Sequence, residues 1–127
     1  MTITLGQRSL SRLEGVHPDL VRVVHKAAAM SDLDFTVLEG LRTLERQRML
    51  YAQKATRTMR SRHLTGHAVD LAPMLEGQIS WDWPLYHRLA GFVKAAAQLE
   101  SVQIEWGGDW RSFRDGPHWQ LPWSAYP

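Results

Sequence analysis

Within Ser61-Arg62-His63-Leu64-Thr65-Gly66-His67-Ala68-Val69-Asp70, two imidazoles and a carboxylate stand around a glycine. Asp115-Gly116-Pro117-His118-Trp119 adds another imidazole and another carboxylate near the end of the chain. Together the two stretches offer donors for a divalent metal and a spare carboxylate to handle a proton. Zinc sites that do chemistry are usually built from three protein ligands, with a fourth position left for water. The sequence has no cysteine, so disulfides and thiolate sites are excluded and a metal has to use nitrogen and oxygen.

Which donors meet depends on the elements that carry them. After Gly66, the residues His67, Val69 and Leu71 alternate with Ala68, Asp70 and Ala72, the period of a strand, and Pro73 is expected to close it. On a strand, His67 and Asp70 face opposite ways and do not share a metal. His63 precedes the Gly66 turn and is free to curl back over the Asp70 face, so His63 with Asp70 is the better pair. A helical His63/His67 pair is disfavoured by Gly66 and by β-branched Thr65 and Val69. It also lacks the glutamate that follows the first histidine of a zinc-binding helix.

The remaining elements read as scaffold. Residues 1–16 carry scattered leucines suited to a short helical turn. Pro18 and Asp19 open a helix over 18–30, with Leu20, Val23, Val24, Ala27, Ala28 and Met30 on its buried face. A short strand over 35–38 ends at Glu39-Gly40. Arg42 follows, where a strand hands over to a helix and ligand-contacting side chains are common. Thr43 is suited to cap a helix to about Lys54, buried through Leu44, Met49, Leu50 and Tyr51. The longest helix is expected over 84–99, with Leu85, Leu89, Phe92, Val93, Ala96 and Leu99 inward and alanines 95–97 allowing close approach to a sheet. Residues 102–106 alternate as a strand and 107–110 turn. Pro117 sets up a strand over 118–121, with His118 and Gln120 on one face. Trp106, Trp110 and Trp119 bracket the site and are read as walls of a cleft, packing being the alternative for any tryptophan. His25 and His87 are read as surface or structural residues.

At 127 residues the chain makes one domain, 1–127, with a net charge of +2. Arg42, Arg46, Arg48, Lys54, Arg57, Arg60 and Arg62 suggest a positive side that could face a nucleic acid or an anionic polymer such as cell wall. The aromatic residues do not interleave with them, so nucleic-acid binding is not expected. No run has the length of a membrane span and the N-terminus lacks an apolar signal stretch. Stable membrane insertion is therefore not expected, and work outside the cytoplasm would need a separate route of release.

Ser61, His63, Gly66, Ala68 and Asp70 complete the signature Ser-x-His-x-x-Gly-x-Ala-x-Asp, and residues 106–110 read Trp-Gly-Gly-Asp-Trp ahead of Asp115-x-Pro-His118-Trp. In these motifs the chain resembles the zinc D,D-peptidase and L-alanyl-D-glutamate peptidase family of bacterial cell-wall enzymes and phage endolysins, over about residues 17–121. The resemblance implies an α+β fold, a small antiparallel sheet with helices packed on it, like that of Hedgehog and the D,D-peptidases. It implies one catalytic zinc ion on His63, Asp70 and His118, with Asp115 as general base. Arg42, in Gly40-Leu41-Arg42-Thr43, resembles the family arginine that contacts a substrate carboxylate or carbonyl. Ser61, Trp106, Asp109 and Trp119 are further candidates for substrate contact.

Vancomycin-resistance relatives carry glutamate at the base position, so Asp115 favours the endopeptidase branch. The implied activity is hydrolysis of the L-alanyl-D-glutamate bond in the peptidoglycan stem peptide. The implied setting is a phage-type lysis enzyme: a monomer without a separate wall-binding domain, acting in the periplasm after release through a phage pore or on host lysis. A D-alanyl-D-alanine carboxypeptidase or dipeptidase would use the same zinc site. A non-catalytic zinc or wall-binding module is a further alternative, disfavoured by the retained Asp115.

Overall fold

The computed structural model describes residues 3–56 and 58–127; Met1, Thr2 and Arg57, the last counted above among the basic residues, lie outside them. In chain order the elements are α1 (Gln7–Arg12), α2 (Pro18–Met30), β1 (Phe35–Glu39), α3 (Leu44–Ala52), β2 (Ala68–Leu75), β3 (Gln78–Ile79), α4 (Trp83–Leu99), β4 (Glu105–Trp106) and β5 (His118–Gln120). The sheet runs β1-β2-β5-β4 with every pairing antiparallel, and β3 folds back on the far end of β2.

Residues directly opposite on antiparallel strands point to the same face. Val37 lies opposite Leu71, Val69 opposite Trp119, and Trp119 opposite Trp106. This face is apolar and buried, and its core is completed by Leu20, Val23 and Val24 of α2 with Leu89 and Val93 of α4. The opposite face carries a polar row, Glu39, Asp70 and His118, and beside it a second row of Glu105, Gln120 and Ala68. The sheet is thus a partition, with the hydrophobic core on one side and a line of titratable groups on the other.

Glu39 reaches that polar row through an irregularity. By strict alternation it would follow Phe35 and Val37 into the core. The register slips between Val37 and Glu39, so that Glu39 comes opposite Asp70. A bulge of this kind reverses the side on which following residues project.

Several sequence expectations are corrected here. β2 does not close at Pro73 but continues to Leu75. Leu71 N–H donates to Pro117 O, so the missing N–H at Pro73, two residues on, falls on the same edge beyond the start of β5. The strand expected over 102–106 is confined to Glu105–Trp106. On α3, Leu44, Met49 and Tyr51 are exposed and Leu50 is only half-buried; the residue it buries is Gln47. On α4 the expected Leu89, Val93 and Ala96 are buried, but the stripe extends to Tyr86, Ala90 and Ala97, with Leu85 and Phe92 only half-buried and Leu99 exposed. The small residues let α4 pack mainly on α2 rather than on the sheet. Nor do the arginines form one solvated face. Arg62 is buried, donating to the carbonyls of Leu121 and Tyr126, and Arg42 turns inward to Glu39.

Candidate metal centre

Each donor is delivered by a different local device. His63 sits in a 3-10 turn, Arg62–Thr65, which Ser61 caps by accepting the His63 N–H with its hydroxyl oxygen. The turn ends at Gly66 with φ 75°, and a β-carbon there would lie 2.3 Å from the Gly15 carbonyl oxygen, so both the conformation and the space require glycine. The turn is then tied to the β1–α3 connection twice: Arg42 N–H donates to His63 O at 2.9 Å, and His63 Nδ1 meets Gly40 O at 2.8 Å. Asp70 stands at the middle of the sheet, directly opposite His118 on β5.

His63 Nε2 lies 3.2 Å from Asp70 Oδ1, and His118 Nδ1 lies 3.4 Å from the same oxygen. One donor atom from each of the three residues falls within a 4.8 Å cluster. The pairing of His63 with Asp70 follows the strand parity, whereas His67 points elsewhere, bonded to Thr65 and lying against the ring of His17.

The hydrogen bonds behind the histidines show that this trio fits a cation. Gly40 O can only accept, so His63 carries its proton on Nδ1 and turns a lone pair on Nε2 toward Asp70. Behind His118, Gln120 Nε2 donates to Glu105 Oε2 at 3.2 Å, which leaves Gln120 Oε1 to accept from His118 Nε2 at 2.8 Å. His118 therefore turns the Nδ1 lone pair toward Asp70. Two imidazole lone pairs and a carboxylate oxygen facing one another suit a divalent ion with nitrogen and oxygen preference. Gln120 and Glu105 escaped the sequence reading; the shared face of His118 and Gln120 was the signal that could have found the first.

In the metal-free protein the surroundings favour the charged forms of Asp70 and His118. For Asp70, burial pushes the pKa up, but hydrogen bonds from His118 and His63 outweigh it and hold the carboxyl well below the usual range. For His118, burial pushes down, and the hydrogen bond and charge of Asp70 outweigh that to raise it.

Asp115 and Arg42 line the same cleft, whose volume is about 540 Å³. Asp115 N–H donates to Gly107 O at 3.0 Å, and its own carbonyl accepts from His118 N–H at 3.2 Å. A β-carbon on Gly107 would lie 2.4 Å from the Asp115 carbonyl oxygen, so glycine is what lets the two loops close. Burial, then the charge of Asp70, raises the Asp115 pKa. Arg42 donates to Glu39 Oε1 through Nε and Nη2, and to Gln47 Oε1 through Nη1 at 2.7 Å. Gln47 in turn donates to Thr58 O at 2.5 Å. This explains why α3 buries a glutamine.

The other substrate-contact candidates divide. Ser61 lines the cleft while capping the His63 turn. Trp110 also lines it, its ring 5.2 Å from that of His118. Trp106 and Trp119 do not: they stack at 5.6 Å on the core face, because their strand parity is opposite to that of His118. Asp109 pairs with Lys94 at 2.7 Å beside a different groove, lined by none of His63, Asp70 and His118. Tyr86 adds an unforeseen neighbour. Its hydroxyl is buried without a hydrogen-bond partner among the described residues, and burial followed by the charges of Asp115 and Asp70 pushes its pKa up to about 12.

Comparison with known proteins agrees with this geometry. The chain is similar to the L-alanyl-D-glutamate peptidase of Escherichia phage T5, 29% identical over 119 residues, covering 91% of this chain and 87% of that protein. It is 32% identical over 108 residues to the peptidoglycan L-alanyl-D-glutamate endopeptidase CwlK of Bacillus subtilis, covering 75% of this chain and 65% of CwlK. The crystal structure of the Serratia marcescens L-Ala D-Glu endopeptidase ChiX superposes with a TM-score of 0.91 at 48% identity, covering 95% of this chain and 91% of ChiX. The family model for phage L-alanyl-D-glutamate peptidases matches residues 1–120, and the chain belongs to that family.

Proposed function

We propose that the chain is a zinc-dependent endopeptidase that hydrolyses the L-alanyl-D-glutamate bond of the peptidoglycan stem peptide. The observation that carries this reading is the convergence of His63, Asp70 and His118 in a cleft that also holds Asp115 and Arg42. Family membership supports the choice of bond.

In this reading His63 Nε2, Asp70 and His118 Nδ1 hold the zinc ion. The chemistry zinc supplies with three protein ligands is acidification of water and polarisation of an amide carbonyl. Asp115, its pKa raised toward the working range of a base, takes the proton from water and returns it to the leaving amine nitrogen. Arg42 uses three of its five N–H groups on Glu39 and Gln47 and offers the other two to a substrate carboxylate. Trp110 forms a wall beside His118. The enzyme acts as a monomer on the wall, beyond the cytoplasmic membrane, and no nucleic-acid role is assigned. No helix among the described residues is long and apolar enough to cross a membrane.

Asp115→Asn separates binding from chemistry. It is expected to retain one zinc ion per chain and to lose at least 100-fold in turnover, the lower end of what a positioned acid–base group contributes, about 10²–10⁴. A zinc-loaded variant with wild-type turnover would refute the role of Asp115.

A further inference from the structure

Among the described residues four arginines line the cleft, and two of them are engaged. Arg42 is paired with Glu39, and Arg62 donates to the carbonyls of Leu121 and Tyr126 beneath the Trp123 ring. Arg46 and Arg60 have no carboxylate partner among the described residues, although both line the same cleft. The half-exposed Trp123 ring has Arg60 at 5.7 Å and Arg62 at 3.9 Å from its centre. The loop presenting Arg60 is thus fixed from below by a buried residue.

Stability does not account for Arg46. It stands in the first turn of α3, two residues after Leu44, where the helix dipole favours the negative charge that Glu45 supplies and disfavours a cation. A cation of the wrong sign for its helix, lining the same cleft as a second guanidinium that lacks a carboxylate partner among the described residues, is a complement to an anion from outside the chain.

We infer that Arg46 and Arg60 form a second anion subsite, which takes a carboxylate of the stem peptide other than the one bound by Arg42. This rests on the reaction proposed above and names its substrate more closely: stem peptides whose acidic residues are free acids are preferred to those in which they are amidated. A guanidinium binds a carboxylate through charge-assisted, often bidentate hydrogen bonds and gains much less from a neutral amide.

The test uses two synthetic tetrapeptides, L-Ala-γ-D-Glu-X-D-Ala, in which X carries a free side-chain carboxylate or its carboxamide. Binding is measured by calorimetry on zinc-loaded Asp115→Asn protein, in the otherwise native chain and with Arg46→Gln and Arg60→Gln added. The acid is expected to bind about two- to fivefold more tightly, the range of an exposed charge pair, and the two peptides to bind alike once both arginines are replaced. Equal binding of the two peptides to the native cleft, no binding of either, or a preference that survives the double replacement would overturn the subsite. Product analysis with active protein is read separately. Absence of cleavage after L-alanine, with the binding preference intact, would refute the reaction and leave the subsite standing.

Discussion

Replacing Gln120 with leucine removes the acceptor for His118 Nε2–H without touching a ligand atom. Both residues are about 7% exposed, and the bond between them is 2.8 Å, so water cannot readily take the place of the amide. In the metal-free protein the imidazole can avoid the loss by moving its proton to Nδ1, where Asp70 Oδ1 lies 3.4 Å away. Metal binding forbids that escape, because Nδ1 must present its lone pair and Nε2 must carry the hydrogen. The penalty of an unsatisfied buried donor, about 1–3 kcal/mol, therefore falls on the loaded state and corresponds to a loss of roughly 5- to 150-fold in zinc affinity. Competition with a chromophoric chelator at fixed pH measures it. Glu105→Gln, which can still present an oxygen to Gln120, is expected to lose less than Gln120→Leu. A folded Gln120→Leu protein that binds zinc as tightly as the parent would refute the tautomer argument.

Tyr86→Phe is expected to be neutral or to raise stability by about 1 kcal/mol, since it deletes a buried hydroxyl that has no partner among the described residues; denaturant unfolding of the metal-free protein measures it, and a clear loss would reveal a partner for the hydroxyl. The metal-free protein should also respond to pH through His118. Its folded pKa is raised, so its contribution to stability is present below the ordinary histidine value of 6.5 and is lost as pH rises through the folded value. Chelated protein is expected to melt at a higher temperature at pH 6 than at pH 8.5, with the difference reduced in His118→Gln; an unchanged difference would assign the effect to another group.

Much of the site could be read from residue spacing. The alternation after Gly66 was enough to separate His67 from Asp70 and to bring His63 over the Asp70 face, which is the arrangement found. The elements that were misjudged share a physical cause, namely that period alone does not say what lies against a helix. Leu44, Met49 and Tyr51 are apolar, yet α3 lies at the cleft edge and buries only Gln47, which bridges Arg42 and Thr58. Leu99 falls at the end of α4, where the buried stripe has rotated away. Glu39 was out of reach because the bulge that turns it toward Asp70 leaves no mark in a two-residue alternation. Trp106 and Trp119 sit near the ligands in sequence but on the other side of the sheet, so nearness along the chain misled where strand parity did not.

The reaction itself is tested most directly by mass spectrometry of purified peptidoglycan digested with zinc-loaded protein beside a chelated control. The expected result is metal-dependent release of stem peptides with a new N-terminal D-glutamate. Release of D-alanine in place of that product, or the same cleavage in the chelated control, would contradict the proposed reaction.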